Sequence, residues 1–231
     1  MTGFASRNLQ PFAGQDIRTL IEAQARLRAD HPYLVWRPFT GARRVWTYAQ
    51  FAQQVARFAA GLHARGVRAG DRVLVHLDNC PEAIFAWFGC AWMGAVAVTT
   101  NARSSADELA YFAEHAAVVA GITQPKFAAL VNASCRGLRW LAVTTTDNGD
   151  DAGTAAPSAA DAFDAIDGDP SRLPARPHDP LAPFSVQYTS GTTSRPKGVL
   201  WTHANALWGA RVNATHEDLR ADDIHMVTLP L

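Results

Sequence analysis

The chain is short of lysine, of cysteine and of net charge, and each shortage closes off a class of function. Two lysines, Lys126 and Lys197, stand against nineteen arginines. Acidic and basic side chains balance at 21 each, so the formal charge at neutral pH is zero. Such a surface has no field with which to gather nucleic acid or an anionic membrane. Three cysteines (Cys80, Cys90, Cys135) without CxxC spacing make neither a disulfide framework nor a zinc-ligand set, and they read as reduced, buried thiols of a cytoplasmic protein. No basic-then-apolar leader opens the sequence. One long uncharged run, residues 83–102, imitates a membrane span. Gly94 divides it, however, and Val96, Val98, Thr99 and Thr100 behind the glycine favour a strand, so it reads as a buried helix followed by a buried strand.

What is present suits a globular domain. A chain of 231 residues with 48% hydrophobic content can bury about 70% of the surface its unfolded form exposes. Asp16 is placed to cap a first helix carrying Ile17, Leu20, Ile21 and Leu27, and two short strands follow around a turn at Thr40-Gly41. Thr47 with Gln50 three residues on is a capping-box start, and Ser105 with Glu108 is another. Asn79 with Glu82 is read as the cap of the apolar helix. Strands are expected at Arg72–Leu77, Val118–Ile122, Arg139–Thr144 and Phe184–Tyr188, with a last one at Ile224–Leu229. Strands alternating with helices of this length predict an α/β fold with a doubly wound, mostly parallel sheet. Composition changes at Thr145. From there to Pro183 the chain holds eight Asp, nine Ala and six Pro, which predicts a mobile surface crossover with one short helix at Ala159–Ile166. Asp147, Asp150 and Asp151 in it are read as a solvated acidic loop and not as a metal site. The expected division is a first subdomain, 1–183, and the beginning of a second, 184–231.

The chemistry concentrates at Tyr188–Val199, Tyr-Thr-Ser-Gly-Thr-Thr-Ser-Arg-Pro-Lys-Gly-Val. Glycine lets the backbone turn its N–H groups toward an anion, hydroxyls add donors, and a cation offsets the charge. That lining suits a phosphate chain, and a sequence that otherwise uses arginine places one of its two lysines here. An ammonium is a compact point charge matched to a phosphate oxygen. The segment is not a Walker-A loop: Pro196 stands where the second glycine belongs, Gly198 where the Ser/Thr belongs, and a strand follows instead of a helix. His203, just beyond, is read as structural, and none of the histidines shows an i, i+4 ligand pair.

This segment resembles the signature loop of the adenylate-forming superfamily, Thr-Ser-Gly-Thr-Thr-Gly-x-Pro-Lys-Gly, departing from it at Ser194. The resemblance implies that Thr189, Ser190, Gly191, Thr192, Thr193 and Lys197 grip the β- and γ-phosphates of ATP. His76 to Glu82, Trp87-Phe88-Gly89 and Asn101-Ala102-Arg103 are similar to the bacterial crotonobetaine/carnitine–CoA ligases within that superfamily. It further implies ATP, Mg2+ and coenzyme A as reactants, a small carboxylic acid as substrate, and no catalytic or metal-binding residue among these 231. The family's adenine, magnesium, ribose and catalytic-lysine elements would lie in a C-terminal part missing here, so the chain is expected to be an incomplete N-terminal domain, inactive alone. An exposed apolar face is expected at Ile224–Leu231. A nonribosomal-type adenylation domain and a non-catalytic nucleotide-binding remnant are the alternative readings.

Overall fold

A computed structural model describes residues 11–39, 41–147, 150–151, 160–189 and 195–228. Helix α1 (Ile17–Leu27) leads into a hairpin of β1 (Pro32–Trp36) and β2 (Arg44–Thr47), then α2 (Tyr48–Ala64) and β3 (Arg72–His76). Next come α3 (Pro81–Met93), β4 (Val96–Thr99), α4 (Ala106–His115), β5 (Val118–Thr123), α5 (Pro125–Ser134) and β6 (Leu141–Val143). Two-residue strands β7 (Thr146–Asp147), β8 (Asp150–Asp151) and β9 (Asp161–Ala162) follow, and β10 (Pro183–Tyr188), β11 (Gly198–Thr202) and α6 (His203–His216) complete the order. Seven strands form one sheet, β11-β10-β4-β3-β5-β6-β9, parallel throughout except for β11. Helices cover both faces, as a parallel sheet requires.

The period-two alternation of strand side chains divides the core. Val73 and Val75 of β3 join Ala97, Ala120 and Ile122 beneath α1, α2 and α3. Leu74 points the other way and packs with Val98, Leu109, Val131 and Val143 beneath α4 and α5. In β10 the register shifts between Pro183 and Ser185. Phe184 accordingly packs with the first face, while Val186 and Tyr188 pack with the second.

Most local signals act where the sequence puts them. Asp16, Thr47, Ser105 and Thr202 each close a capping box. Gly94 ends α3 in the left-handed conformation, φ 84°, which glycine reaches without a Cβ penalty. Three expectations are corrected. Helix α3 is capped at Cys80 with Pro81 in its first turn and no side-chain cap, so Asn79 and Glu82 do not form the box read from sequence; proline supplies a preset φ and has no N–H to satisfy. No helix spans 160–166. A two-residue strand and the 3-10 turn Phe163–Ala165 stand there, because Phe163 drops onto Phe58 (centroids 4.9 Å apart) and Ile166 follows it into the core. Residues 224–228 are not a strand: Ile224 and Met226 are 89% and 80% exposed, and no strand among the described residues pairs with them. Over 224–228 the expected apolar surface is present, and residues 229–231 lie outside the described residues.

The crossover therefore does not lie wholly outside the core. It crosses α2 at Gly168, whose missing side chain is what permits the approach. A Cβ there would sit 2.6 Å from the backbone of Ala60 and Gly61. Gly168→Ala is expected to cost about 1–3 kcal/mol, the range for forced overpacking, read as a fall in the urea midpoint. An unchanged midpoint would show that the crossover yields freely.

Candidate phosphate-binding hairpin

Strands β10 and β11 pair antiparallel with Tyr188 opposite Gly198. The ladder runs one step past the strands: the Thr189 amide donates to the Lys197 carbonyl at 3.0 Å, and the Thr189 hydroxyl lies 3.5 Å from the same oxygen. This closes the neck of the loop. The Thr189 amide is consumed there, leaving its hydroxyl as what it can offer an anion. Ser190, Gly191, Thr192 and Thr193 lie outside the described residues. Of the six residues expected at a phosphate, Thr189 and Lys197 are therefore placed, facing each other across the neck and both exposed.

Lys197 takes part in none of the ion pairs among the described residues. The other lysine differs: Lys126 is ion-paired with Asp78. Gln124 braces that pair by accepting from the Asp78 amide at 2.7 Å and donating to Asp147 at 3.0 Å. Asp147 also accepts from the Lys126 amide at 3.2 Å. That acidic residue serves the start of α5, and no metal-holding group occurs among the described residues.

The hairpin mouth leaves the sheet at the carboxyl end of β10, whose Gln187 is in parallel register with Thr99 of β4. Open α/β sheets bind their ligands outside the carboxyl ends of the strands. Helix α4, which follows β4, reaches this edge. Tyr188 stacks on Phe112 at 4.1 Å, and its hydroxyl meets His115 Nδ1 at 2.8 Å. Burial, aided by the neighbouring Tyr111, pushes the Tyr188 phenol up to about 12, so it remains a neutral donor. A Cβ at Gly198 would crowd the Val186 side chain at 3.2 Å while only touching the Tyr188 ring at 3.5 Å. On the other limb, the Tyr111 hydroxyl donates to the Pro196 carbonyl at 3.0 Å, and the Arg195 guanidinium lies 5.3 Å from the centre of the Tyr111 ring. Neither Tyr111 nor His115 was singled out from the sequence. Their i, i+4 spacing was visible, but only the pairing of β10 with β4 brings α4 to the loop.

His203 is structural, as expected. It is fully buried, stacks on Phe184 and receives the Ile17 amide at its Nδ1 (3.4 Å). Burial depresses it to about 4 despite the attraction of Asp16, so it stays neutral. His76, at the end of β3, is likewise depressed to about 4 by burial, with Nδ1 2.8 Å from the Thr100 hydroxyl. The three cysteines are free and buried, and burial raises all three thiols, so none is a nucleophile. An apolar cavity of about 360 Å³ beside Leu20, Phe51, Trp87, Phe184 and Leu207 lies at the opposite end of β10 from the loop. No helix among the described residues is long and apolar enough to cross a membrane.

The sequence model of the AMP-binding enzymes matches residues 21–231, the hairpin included. The chain belongs to the AMP-binding enzyme family. Relatives and solved structures agree with that membership. A crotonobetaine/carnitine–CoA ligase of Salmonella paratyphi A is 34% identical over 221 residues, covering 94% of this chain and 42% of the relative. The Mycobacterium smegmatis MbtA apo structure superposes with a TM-score of 0.75 at 29% identity, covering 94% of this chain and 39% of that one. Acetoacetyl-CoA synthetase from Streptomyces lividans gives a TM-score of 0.75 at 25% identity, with 88% and 33% covered. The sheet is thus that of the adenylate-forming ligases, and this AMP-binding chain spans about 42% of the length of the curated relatives it matches.

Proposed function

We propose that this AMP-binding chain is the phosphate-gripping part of an ATP-dependent acid–CoA ligase. In that reaction a carboxylate attacks the α-phosphate of ATP to give an acyl-adenylate and pyrophosphate, and the thiol of coenzyme A then displaces AMP. A carboxylate is already ionised and needs no base. The barrier lies in the charge that builds on the departing pyrophosphate, which fixed donors and a cation offset. Thr189, Ser190, Gly191, Thr192 and Thr193 take the donor role and Lys197 that of the cation. Mg2+ and coenzyme A belong to the reading as reactants, and no residue described here is assigned to them. The observation that carries the reading is the exposed ammonium of Lys197, in no ion pair among the described residues, at the neck of a hydroxyl-and-glycine loop on the carboxyl edge of the sheet. The crotonobetaine/carnitine–CoA ligase relatives support the acid–CoA ligase class.

If the loop grips the terminal phosphates, affinity follows phosphate number. Titration calorimetry of the 231-residue chain is expected to rank ATP above ADP above AMP, with about tenfold lost per phosphate, since hydrogen bonds to charged groups contribute roughly 1.5–3 kcal/mol each. Pyrophosphate exchange by the same chain with any carboxylate should stay at background. Equal affinity for ATP and AMP would overturn the phosphate-gripping role, and exchange at an ordinary enzymatic rate would overturn the claim that these residues are only a part.

A further inference from the structure

Lys197 is unusual in that its backbone is held from both sides while its side chain is exposed and in no ion pair among the described residues. On one side its carbonyl accepts the Thr189 amide at 3.0 Å. On the other, the peptide plane that joins it to Pro196 is fixed through the Pro196 carbonyl, which takes the Tyr111 hydroxyl at 3.0 Å. Proline locks its own φ, and the peptide unit is planar, so tethering that one oxygen sets where the Lys197 Cα begins. Tyr111 also holds the preceding Arg195 over its ring face at 5.3 Å, a cation–π distance. One turn along α4, His115 holds the opposite limb through the Tyr188 hydroxyl at 2.8 Å. A single helical face thus clamps both limbs of the hairpin mouth.

We propose that Tyr111 is a positioning residue for Lys197, fixing the limb from which the lysine reaches the terminal phosphates. The inference rests on the phosphate-gripping reading above. Its logic is preorganisation: a cation on a long flexible stem binds more tightly when the start of the stem does not have to be ordered at the moment of binding. An extended loop limb without the tether would meet the same ligand at an entropic disadvantage.

The test is a double-mutant cycle in the 231-residue chain, with inorganic tripolyphosphate as the probe, titrated at fixed ionic strength. Tyr111→Phe keeps the ring, its stacking and the cation–π contact, and removes only the hydroxyl. It is expected to weaken tripolyphosphate binding about fivefold, within the range of a single neutral hydrogen bond, with the melting temperature moving by less than about 2 °C. In a Lys197→Ala background the same substitution should cost nothing, because the group it positions is gone. Two results overturn the proposal while leaving the phosphate loop standing: Tyr111→Phe binding like the wild type while Lys197→Ala loses affinity, or the two losses adding in full, as for a residue that merely supports the fold. Wild-type chain that ignores tripolyphosphate sinks the phosphate reading, and this inference with it.

Discussion

Arg176→Ala should destabilise the chain by about 3–5 kcal/mol, the cost of leaving a buried charge without its partner. Asp16 is fully buried and Arg176 nearly so, and Arg176 Nη1 approaches Asp16 Oδ2 to 2.9 Å. The contact is ionic in geometry and not an aligned hydrogen bond, so charge alone satisfies that oxygen. The other oxygen is better served: Oδ1 receives the Thr19 amide at 2.9 Å and faces His178 Nδ1 at 3.2 Å. Arg176 meanwhile donates to the carbonyls of Ala91 and Trp92 at 2.9 and 3.0 Å, at the C-terminal end of α3 where carbonyls lack helical partners. One side chain therefore ties the crossover to the cap of α1 and the end of α3. Truncating it strands the Asp16 carboxylate and the Trp92 carbonyl together, while Ala91 keeps the Gly94 amide at 3.3 Å.

The pH dependence of that loss carries its own sign. Burial raises the Asp16 carboxyl, but the Thr19 amide, Arg176 and His178 outweigh it and leave it below the usual carboxylate range. In the wild type Asp16 thus contributes stability that is present above its unfolded value and is lost as pH falls through its lower folded value. With Arg176 removed, burial is opposed by less, and the carboxyl escapes by taking a proton. The gap between variant and wild type should be widest near neutrality and narrow as pH drops below about 4, the unfolded carboxylate value. Asp16→Asn on top of Arg176→Ala should recover part of the loss, because asparagine still caps α1 without a charge to strand. Urea unfolding across pH measures both effects; a gap that does not depend on pH would show that Arg176 acts by packing alone.

That linkage also marks what sequence could and could not say. Caps at Asp16, Thr47 and Ser105 were legible because a capping box is a contact between residues three apart. Gly94 was legible because a left-handed turn writes itself in one letter. The continuous burial of β3 follows from its apolar run and the helices that cover both faces of the sheet. Arg176 was not legible, since nothing in Pro-Ala-Arg-Pro announces a partner 160 residues earlier in the chain. The Asp- and Ala-rich crossover looked uniformly superficial, yet Phe163 and Ile166 are enough to seat it on α2. The hairpin divides the same way: its ligand chemistry is local and can be read, while its support from Tyr111, Phe112 and His115 depends on which strand β10 chooses as neighbour.

Lys197→Ala is expected to weaken tripolyphosphate binding about 10- to 100-fold, which is what losing one charge-assisted hydrogen bond implies. The reason for so large an effect is that the ammonium is exposed and in no ion pair with a described residue, so none of its interaction is already spent inside the protein. The same fact predicts almost no change in stability, because an exposed side chain with no such partner takes little with it. Function and fold separate cleanly at this position, as they do not at Arg176. Lys197→Arg should recover only part of the affinity: the charge returns, but a planar fork replaces a point charge and aims its donors differently. Raising salt from about 0.05 to 0.5 M should shrink the difference between wild type and alanine variant, since exposed charges are screened over a few ångströms at that strength. Titrations at two salt concentrations beside a melting curve supply all three comparisons. An alanine variant that binds like the wild type at low salt would remove Lys197 from the site, and with it the cation on which the phosphate-gripping reading of this hairpin depends.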